Sequence, residues 1–295
     1  MHERIRGCLL GAALGDALGA PYEGGPVEQV AQRMISAVSG ERYRYTDDTQ
    51  MTMDLAESLI RCGTVDPDDL ARTFAAGYSR WRGYGPGAAK ILKRIRGGMA
   101  WAEASRSVYA DGSFGNGAAM RAPLVGVIFD GAELEEAVKA ASKITHAHPQ
   151  GIDGARVVAR VASAAARDEK PTRWLDVAFE AAATDEMKRR LSQAGKVAFE
   201  PAAVAEHVGN GIVAVESVPT AMLVASRTAG LPFEELIDFC RRLGGDVDTI
   251  GSMASAIYGA YHGAKRLPQA WLGKVEGVAR LDGLSDELAK IFSDK

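Results

Sequence analysis

Residues 46–60, TDDTQMTMDLAESLI, set two features side by side. From Asp48 to Ile60 the apolar residues Met51, Met53, Leu55, Leu59 and Ile60 recur as a buried helix face requires. Thr46 stands where an N-cap belongs, since its hydroxyl can accept from the first unpaired amides of the helix. The same helix start also carries Asp47, Asp48 and Thr49, so carboxylates and hydroxyls alternate within one turn.

The helical spacing recurs along the chain. Further helices are expected over Gly7 to Leu18, Asp68 to Arg80, Ala88 to Ile95, Ala118 to Ile128, Glu133 to Ile144 and Gly151 to Arg167. Two short helices are expected within Thr172 to Gly195. Pro201 to His207, Ser217 to Thr228, Phe233 to Leu243, Thr249 to Lys265 and Ser285 to Phe292 follow. Glycine and proline clusters fall between them, as in Gly83-Tyr84-Gly85-Pro86-Gly87 and Gly209-Asn210-Gly211. β-branched alternation is scarce, and neither a βαβ rhythm nor a fixed-period repeat is present. No Ser-rich or Pro-rich linker divides the chain. The expected fold is all-α: a single compact multi-helix domain over residues 1–295, with its functional loops at helix starts.

Bulk composition narrows the function. A domain of this length buries roughly three quarters of its unfolded surface and needs no staples. The 35 basic and 38 acidic residues are mixed along the chain and leave a net charge of -3. No basic stripe points to direct nucleic-acid binding. Cys8, Cys62 and Cys240 are odd in number and lack a C-x-x-C spacing, which fits a reducing compartment. Arg4 and Arg6 precede an apolar run, Gly7 to Ala20, that faintly resembles a secretion signal, but Asp16 interrupts it. A cytoplasmic protein without a membrane partner is expected, and the lack of a coiled-coil heptad favours a monomer.

A second acidic helix start lies far away, at Asp246-Val247-Asp248-Thr249, after the flexible Gly244-Gly245 pair. Carboxylates plus hydroxyls are the ligands a hard divalent cation such as Mg²⁺ takes. Four clustered carboxylates would repel one another and partly protonate, and a pair of cations removes that cost. Folded together, Thr46, Asp47, Asp48, Asp246, Asp248 and Thr249 could form one dinuclear site. Helix capping accounts for either cluster alone, each charge complementing the macrodipole by ~0.3–1 kcal/mol. Spacing does not establish that the two meet.

Other candidates are weaker. Gly112-Ser113-Phe114-Gly115-Asn116-Gly117 is a glycine-rich turn before a helix, which suits a phosphate or an ordinary loop. It lacks the lysine of a P-loop and the strand of a dinucleotide fold. Tyr109 and Phe114 flank it and could sandwich a base, or pack inward. In Thr145-His146-Ala147-His148 the histidines lack a third zinc ligand, so the default is a structural or surface histidine, ahead of a hydrogen-bonding ligand contact and of a metal site. His262, in an apolar helix, reads as a satisfied core residue. Arg121 could meet an anion or form a salt bridge. Glu23, in Pro21-Tyr22-Glu23-Gly24-Gly25, could reach a cleft and orient a water, or be an exposed loop acid.

Taken jointly these segments resemble the ADP-ribosylhydrolase family, which includes the dinitrogenase-reductase-activating glycohydrolases. The resemblance lies in GAALGDALG (11–19), YTDDTQM (45–51), GSFGNGAAMR (112–121), Thr145-His146 and GGDVDTIGSMASAIYGAYHG (244–263), in family order across nearly the whole chain. Pro21-Tyr22-Glu23 and GNGIVAVESVPTA (209–221) resemble more the branch acting on serine-linked ADP-ribose, poly(ADP-ribose) and O-acetyl-ADP-ribose. The resemblance implies an all-α fold and two Mg²⁺ ions, with Mn²⁺ as a substitute. Their ligands would be Thr46, Asp47, Asp48, Asp246, Asp248 and Thr249, with Glu23 also approaching a metal. Glu23 and Asp47 would be catalytic. Asp111, Gly112, Ser113, Phe114, Gly115, Asn116 and Gly117 would hold the diphosphate and adenosine, with His146 and Ile212 as further contacts. Phe114 stands where a tyrosine is common, which keeps stacking but loses a hydroxyl. The implied partners are ADP-ribose and ADP-ribosylated proteins. An ADP-ribosyl-arginine hydrolase, a non-catalytic ADP-ribose binder and a metal-dependent phosphohydrolase are the competing expectations.

Overall fold

The small-residue run that starts at Gly7 becomes the centre of the fold in a computed structural model that describes residues 1–24, 30 and 42–292. In chain order the helices are α1 (His2–Gly19), α2 (Asp47–Cys62), α3 (Pro67–Gly77), α4 (Pro86–Arg96), α5 (Trp101–Arg106), α6 (Ala122–Ile128), α7 (Gly131–Lys143) and α8 (Pro149–Ala166). They continue as α9 (Trp174–Ala181), α10 (Asp185–Ala194), α11 (Pro201–His207), α12 (Ala214–Thr228), α13 (Phe233–Leu243), α14 (Val247–His262), α15 (Gln269–Leu272) and α16 (Val278–Phe292). Among the described residues there is no strand, only isolated bridges at Tyr43–Val275 and Gly115–Val213. The expected all-α class is what the chain adopts. None of the described helices is long and apolar enough to cross a membrane.

α1 and α14 are buried on nearly every side, from Gly7 to Gly19 and from Val247 to Ala260. Helices apolar all round belong in a core, and these two pack antiparallel through facing small residues. A Cβ added at Gly7 would lie 2.0 Å from the Gly259 carbonyl oxygen, and one at Gly11 would lie 2.2 Å from that of Ser255. At Gly15 the corresponding oxygen is that of Gly251, at 2.3 Å; at Gly19 the nearest atom is Asp248 Cα, at 2.5 Å. The backbones therefore approach closely, and the C-terminus of α1 lies against the acidic start of α14.

Gly11→Ala tests this contact. Alanine gains about 1 kcal/mol of helix propensity, but overpacking against a backbone carbonyl costs about 3 kcal/mol. A net loss of about 2 kcal/mol is expected in urea unfolding. An unchanged midpoint would mean that the helices do not meet there.

Several expected boundaries shift. The helix expected to reach Arg80 stops at Gly77, where Arg96 donates to the carbonyls of Ala75, Ala76 and Tyr78 and takes the acceptors of a further turn. The helix expected from Ala118 starts at Ala122, after a 3₁₀ turn over Asn116–Ala118, because the Arg121 guanidinium folds back onto the Gly117 carbonyl. The last helix begins at Val278, not Ser285. α14 spans Val247–His262 and closes at Gly263, whose φ of 77° suits glycine. Helices α5 and α15 were not expected; at six and four residues they are too short to show a period.

Candidate active site

Asp16 organises the first acidic turn. It is fully buried in α1, where an isolated carboxylate is costly. Its oxygens accept from Thr46 N at 3.0 Å, Thr49 N at 3.0 Å and Thr49 Oγ1 at 2.5 Å. These are the orphan amides at the start of α2, so a side chain 30 residues upstream completes the cap. Thr46 supplies the expected local cap, accepting from Asp48 N at 3.4 Å. Burial lifts the Asp16 carboxyl to about 6, against the opposing pull of the Thr49 and Thr46 bonds.

The second acidic turn is fixed by loops. Asp246 N donates to the Asn210 carbonyl at 2.8 Å, and Gly24 N donates to Gly245 O at 3.1 Å. Gly245 has φ 74°, and a Cβ there would strike the Asn210 carbonyl at 2.3 Å, so glycine is required. The Gly24 bond holds the loop after α1 against this turn and carries Glu23 in with it. Gly25, the last residue of that expected glycine loop, lies outside the described residues.

The two distant acidic starts meet. Thr249 Oγ1 donates to Asp48 Oδ2 at 3.3 Å, across 201 residues of chain, and Thr46 Oγ1 donates to the same oxygen at 3.3 Å. Glu23, Asp246 and Asp248 each bring a carboxylate oxygen within 4.8 Å of the others. Asp47 and Asp48 line the same cleft but stand outside that trio. Thr46 does not line it; its side chain serves Asp48 and its backbone serves Asp16.

Such crowding raises every carboxyl pKa. Burial pushes Glu23 to about 7, helped by Asp246 and Asp16. Burial and then neighbouring carboxylates hold Asp47, Asp48 and Asp248 well above the usual range. Asp246 is raised by burial, while bonding by Asn116 opposes the shift. Asp48 Oδ1 is buried without a hydrogen-bond partner. An orphaned oxygen among crowded carboxylates and threonine hydroxyls fits a hard divalent cation.

The glycine turn forms the facing wall. Asn116 Nδ2 donates to Asp246 Oδ2 and, at 2.9 Å, to Ser217 Oγ, tying the turn to the acidic cluster. Asn116 N donates to Ile212 O at 3.0 Å, and Ala214 N donates to Phe114 O at 3.1 Å. Ser113, Gly115, Asn116, Gly117, His146 and Ile212 line the cleft, as does Tyr109. His146 is buried, with Nδ1 2.8 Å from Thr145 Oγ1. A Cβ at Gly117 would lie 2.6 Å from its ring. Burial and the Arg121 charge push its pKa down to about 3, so the imidazole is neutral.

Other expected site residues fall elsewhere. Asp111, Gly112 and Phe114 are not among the cleft-lining residues. Phe114 is about half exposed, its ring edge-on to His148 at 5.8 Å, so it does not pair with Tyr109 across a base in this structure. Tyr109 instead lies over Gly87 at the start of α4, where a Cβ would meet its ring at 2.7 Å. Gly112 has φ 83° and packs against His148 N, shaping the turn from behind. His148 caps α8 by accepting from Gln150 N at 3.2 Å. His262 Nε2 pairs with Ala229 O at 2.7 Å, as expected of a satisfied core histidine. Among the described residues Arg121 forms no salt bridge. It is buried, donates to Ala141 O and Thr145 Oγ1, and lies 4.8 Å over the Phe74 ring.

Comparison with known proteins shows the family and the fold. A family model described as ADP-ribosylglycohydrolase matches residues 1–295. The chain is 32% identical to the ADP-ribosylhydrolase ARH3 of Xenopus tropicalis, over 98% of this chain and 95% of that protein. It is 30% identical to the ARH3 of Danio rerio, over 99% and 91% respectively. A solved structure described as an ADP-ribosylglycohydrolase-related protein complex superposes with a TM-score of 0.76 at 24% identity, covering 98% of both chains, which shows a shared fold. With the matched family model spanning every element that builds the cleft, the chain belongs to the ADP-ribosylglycohydrolase family.

Proposed function

We propose that the chain, as one domain, hydrolyses glycosidic bonds of ADP-ribose conjugates in an Mg²⁺-dependent reaction. Serine-linked ADP-ribose on proteins is the favoured substrate, with poly(ADP-ribose) and O-acetyl-ADP-ribose as further members of the class. The observation that carries this is the convergence of Glu23, Asp246 and Asp248 beside a glycine turn in one cleft. Similarity to proteins named ADP-ribosylhydrolase ARH3 supports the substrate class.

In this scheme Asp47, Asp48, Asp246 and Asp248, with the hydroxyl of Thr249, would hold the cations, Thr46 would steady Asp48, and Glu23 would border them. Bound Mg²⁺ would supply positive charge that offsets the carboxylate crowding and attracts the hydroxyls of the distal ribose. The turn around Ser113–Gly117 receives the diphosphate, with neutral His146 supporting it from beneath and Tyr109 and Ile212 beside it. Positive charge develops on the sugar as the bond breaks, and the surrounding carboxylates stabilise it. Glu23 handles a proton: it takes one from the attacking water or gives one to the leaving oxygen.

The deciding experiment is a product assay on defined conjugates with Mg²⁺ and with chelator. Free ADP-ribose should be released from serine-linked conjugates with Mg²⁺ only. Preferential cleavage of arginine-linked conjugates would move the protein to that specificity. Release of AMP from ADP-ribose would identify a phosphohydrolase, and binding without product a non-catalytic binder.

A further inference from the structure

A second cleft lies next to the first. Its volume is about 820 Å³, against about 180 Å³ for the acidic cleft. The two share Gly83, and Tyr22 and Thr46 of the larger cleft are the chain neighbours of Glu23 and Asp47 in the smaller one. The glycine turn that lines the acidic cleft does not line the larger one. The larger cleft therefore opens beside the carboxylates, where the group attached to the distal ribose would leave.

Its charge is unlike that of the whole chain. Arg42, Arg44, Arg80, Arg82, Arg241 and Lys274 line it, and no described lining residue is acidic. Arg82 is matched, held by Glu276 at 2.8 and 2.9 Å. Arg44 and Arg42 also act on Glu276, so one carboxylate faces several cations. The wall is strongly positive in a protein whose net charge is -3.

The layout points to an extended ligand. The cations come from separate segments, residues 42–44, 80–82, 241 and 274. Arg42 and Arg44 flank Tyr43, which pairs in extended form with Val275, its N–H donating to Lys274 O at 2.8 Å. Residues two apart on extended backbone are spaced about 6.6 Å, the repeat of side chains on one face of an extended peptide. Trp81, 72% exposed with Arg80 at 4.3 Å over its ring, adds a flat apolar wall. We infer that this cleft is an acceptor-side docking groove for an acidic, extended polypeptide segment flanking the modified residue.

The inference rests on the proposed hydrolase activity, but its test does not require turnover. The probes are a fluorescent peptide with glutamates flanking one serine, and the same peptide with glutamines in their place. With full-length protein at low salt, the acidic peptide should bind roughly tenfold tighter, and added salt should close the gap. The double variant Arg42→Glu, Arg44→Glu should lose that preference, while its hydrolysis of O-acetyl-ADP-ribose, which carries no peptide, stays unchanged. Equal binding of the two peptides would overturn the groove. So would retention of the preference by the variant, or binding of short ADP-ribose oligomers in place of the acidic peptide. Absence of O-acetyl-ADP-ribose turnover in the unaltered protein would count against the hydrolase activity alone.

Discussion

Asp248→Ala is expected to abolish turnover while leaving the helical content of the protein intact. Asp248 is 4% exposed and belongs to the carboxylate trio with Glu23 and Asp246. Loss of an outer partner of a metal ligand already weakens binding about 10- to 100-fold, so loss of a direct ligand should exceed that. The fold should survive, because α14 is anchored by its packing on α1 and not by this carboxylate. Stability gives a second readout with a defined sign. Burial and neighbouring carboxylates raise the Asp248 pKa. A carboxyl raised in the folded state contributes stability below its ordinary value and loses it as pH rises through the folded value. Without metal, wild type should therefore lose thermal stability from about pH 4 upward, and the variant should lose less. Mg²⁺ should raise the wild-type melting temperature at neutral pH and leave the variant unmoved. Full activity in the variant would contradict the assigned role.

The chemistry of this site was more legible in the sequence than its geometry. Hydroxyls beside carboxylates at Thr46–Thr49 and Asp246–Thr249 offer the oxygen donors of a hard cation, although either cluster alone is also what a helix cap needs. Whether the clusters meet depends on α1 and α14 crossing through Gly7, Gly11 and Gly15. Glycines four residues apart permit such a crossing without naming a partner. By local pattern Asp16 reads as an interruption of an apolar run. A lone carboxylate in a helix of small apolar residues is itself a signal, since burial demands partners. Those partners, the amides of Thr46 and Thr49, lie too far along the chain for any local pattern to reveal. The glycine turn from Gly112 to Gly117 is legible in the sequence, whereas the direction of Phe114, whose ring faces His148, is not. Side-chain direction in a glycine turn has no period to read it by. The basic cleft is not legible in the sequence for a similar reason, since it is assembled from segments that sequence order keeps apart.

Glu23→Gln should lower kcat by about 10²–10⁴-fold and change ADP-ribose affinity little. Glutamine keeps the shape and hydrogen-bonding reach of the side chain but cannot carry the proton. In the metal-free protein, burial, with Asp246 and Asp16, lifts the wild-type carboxyl to about 7, and a bound cation would draw it down towards the carboxylate form. Persistence of turnover would mean that another residue moves the proton. The choice of conjugate then separates the two roles open to Glu23. If it protonates the leaving oxygen, the loss should be severe for serine conjugates, whose alkoxide leaves poorly. It should be small for O-acetyl-ADP-ribose, whose carboxylate needs no proton to depart. If Glu23 instead orients or deprotonates the water, both substrates should lose activity alike, because the nucleophile is common to them. The ratio of the two losses in one variant therefore assigns the proton, and binding calorimetry on the same sample shows that the cleft itself is intact.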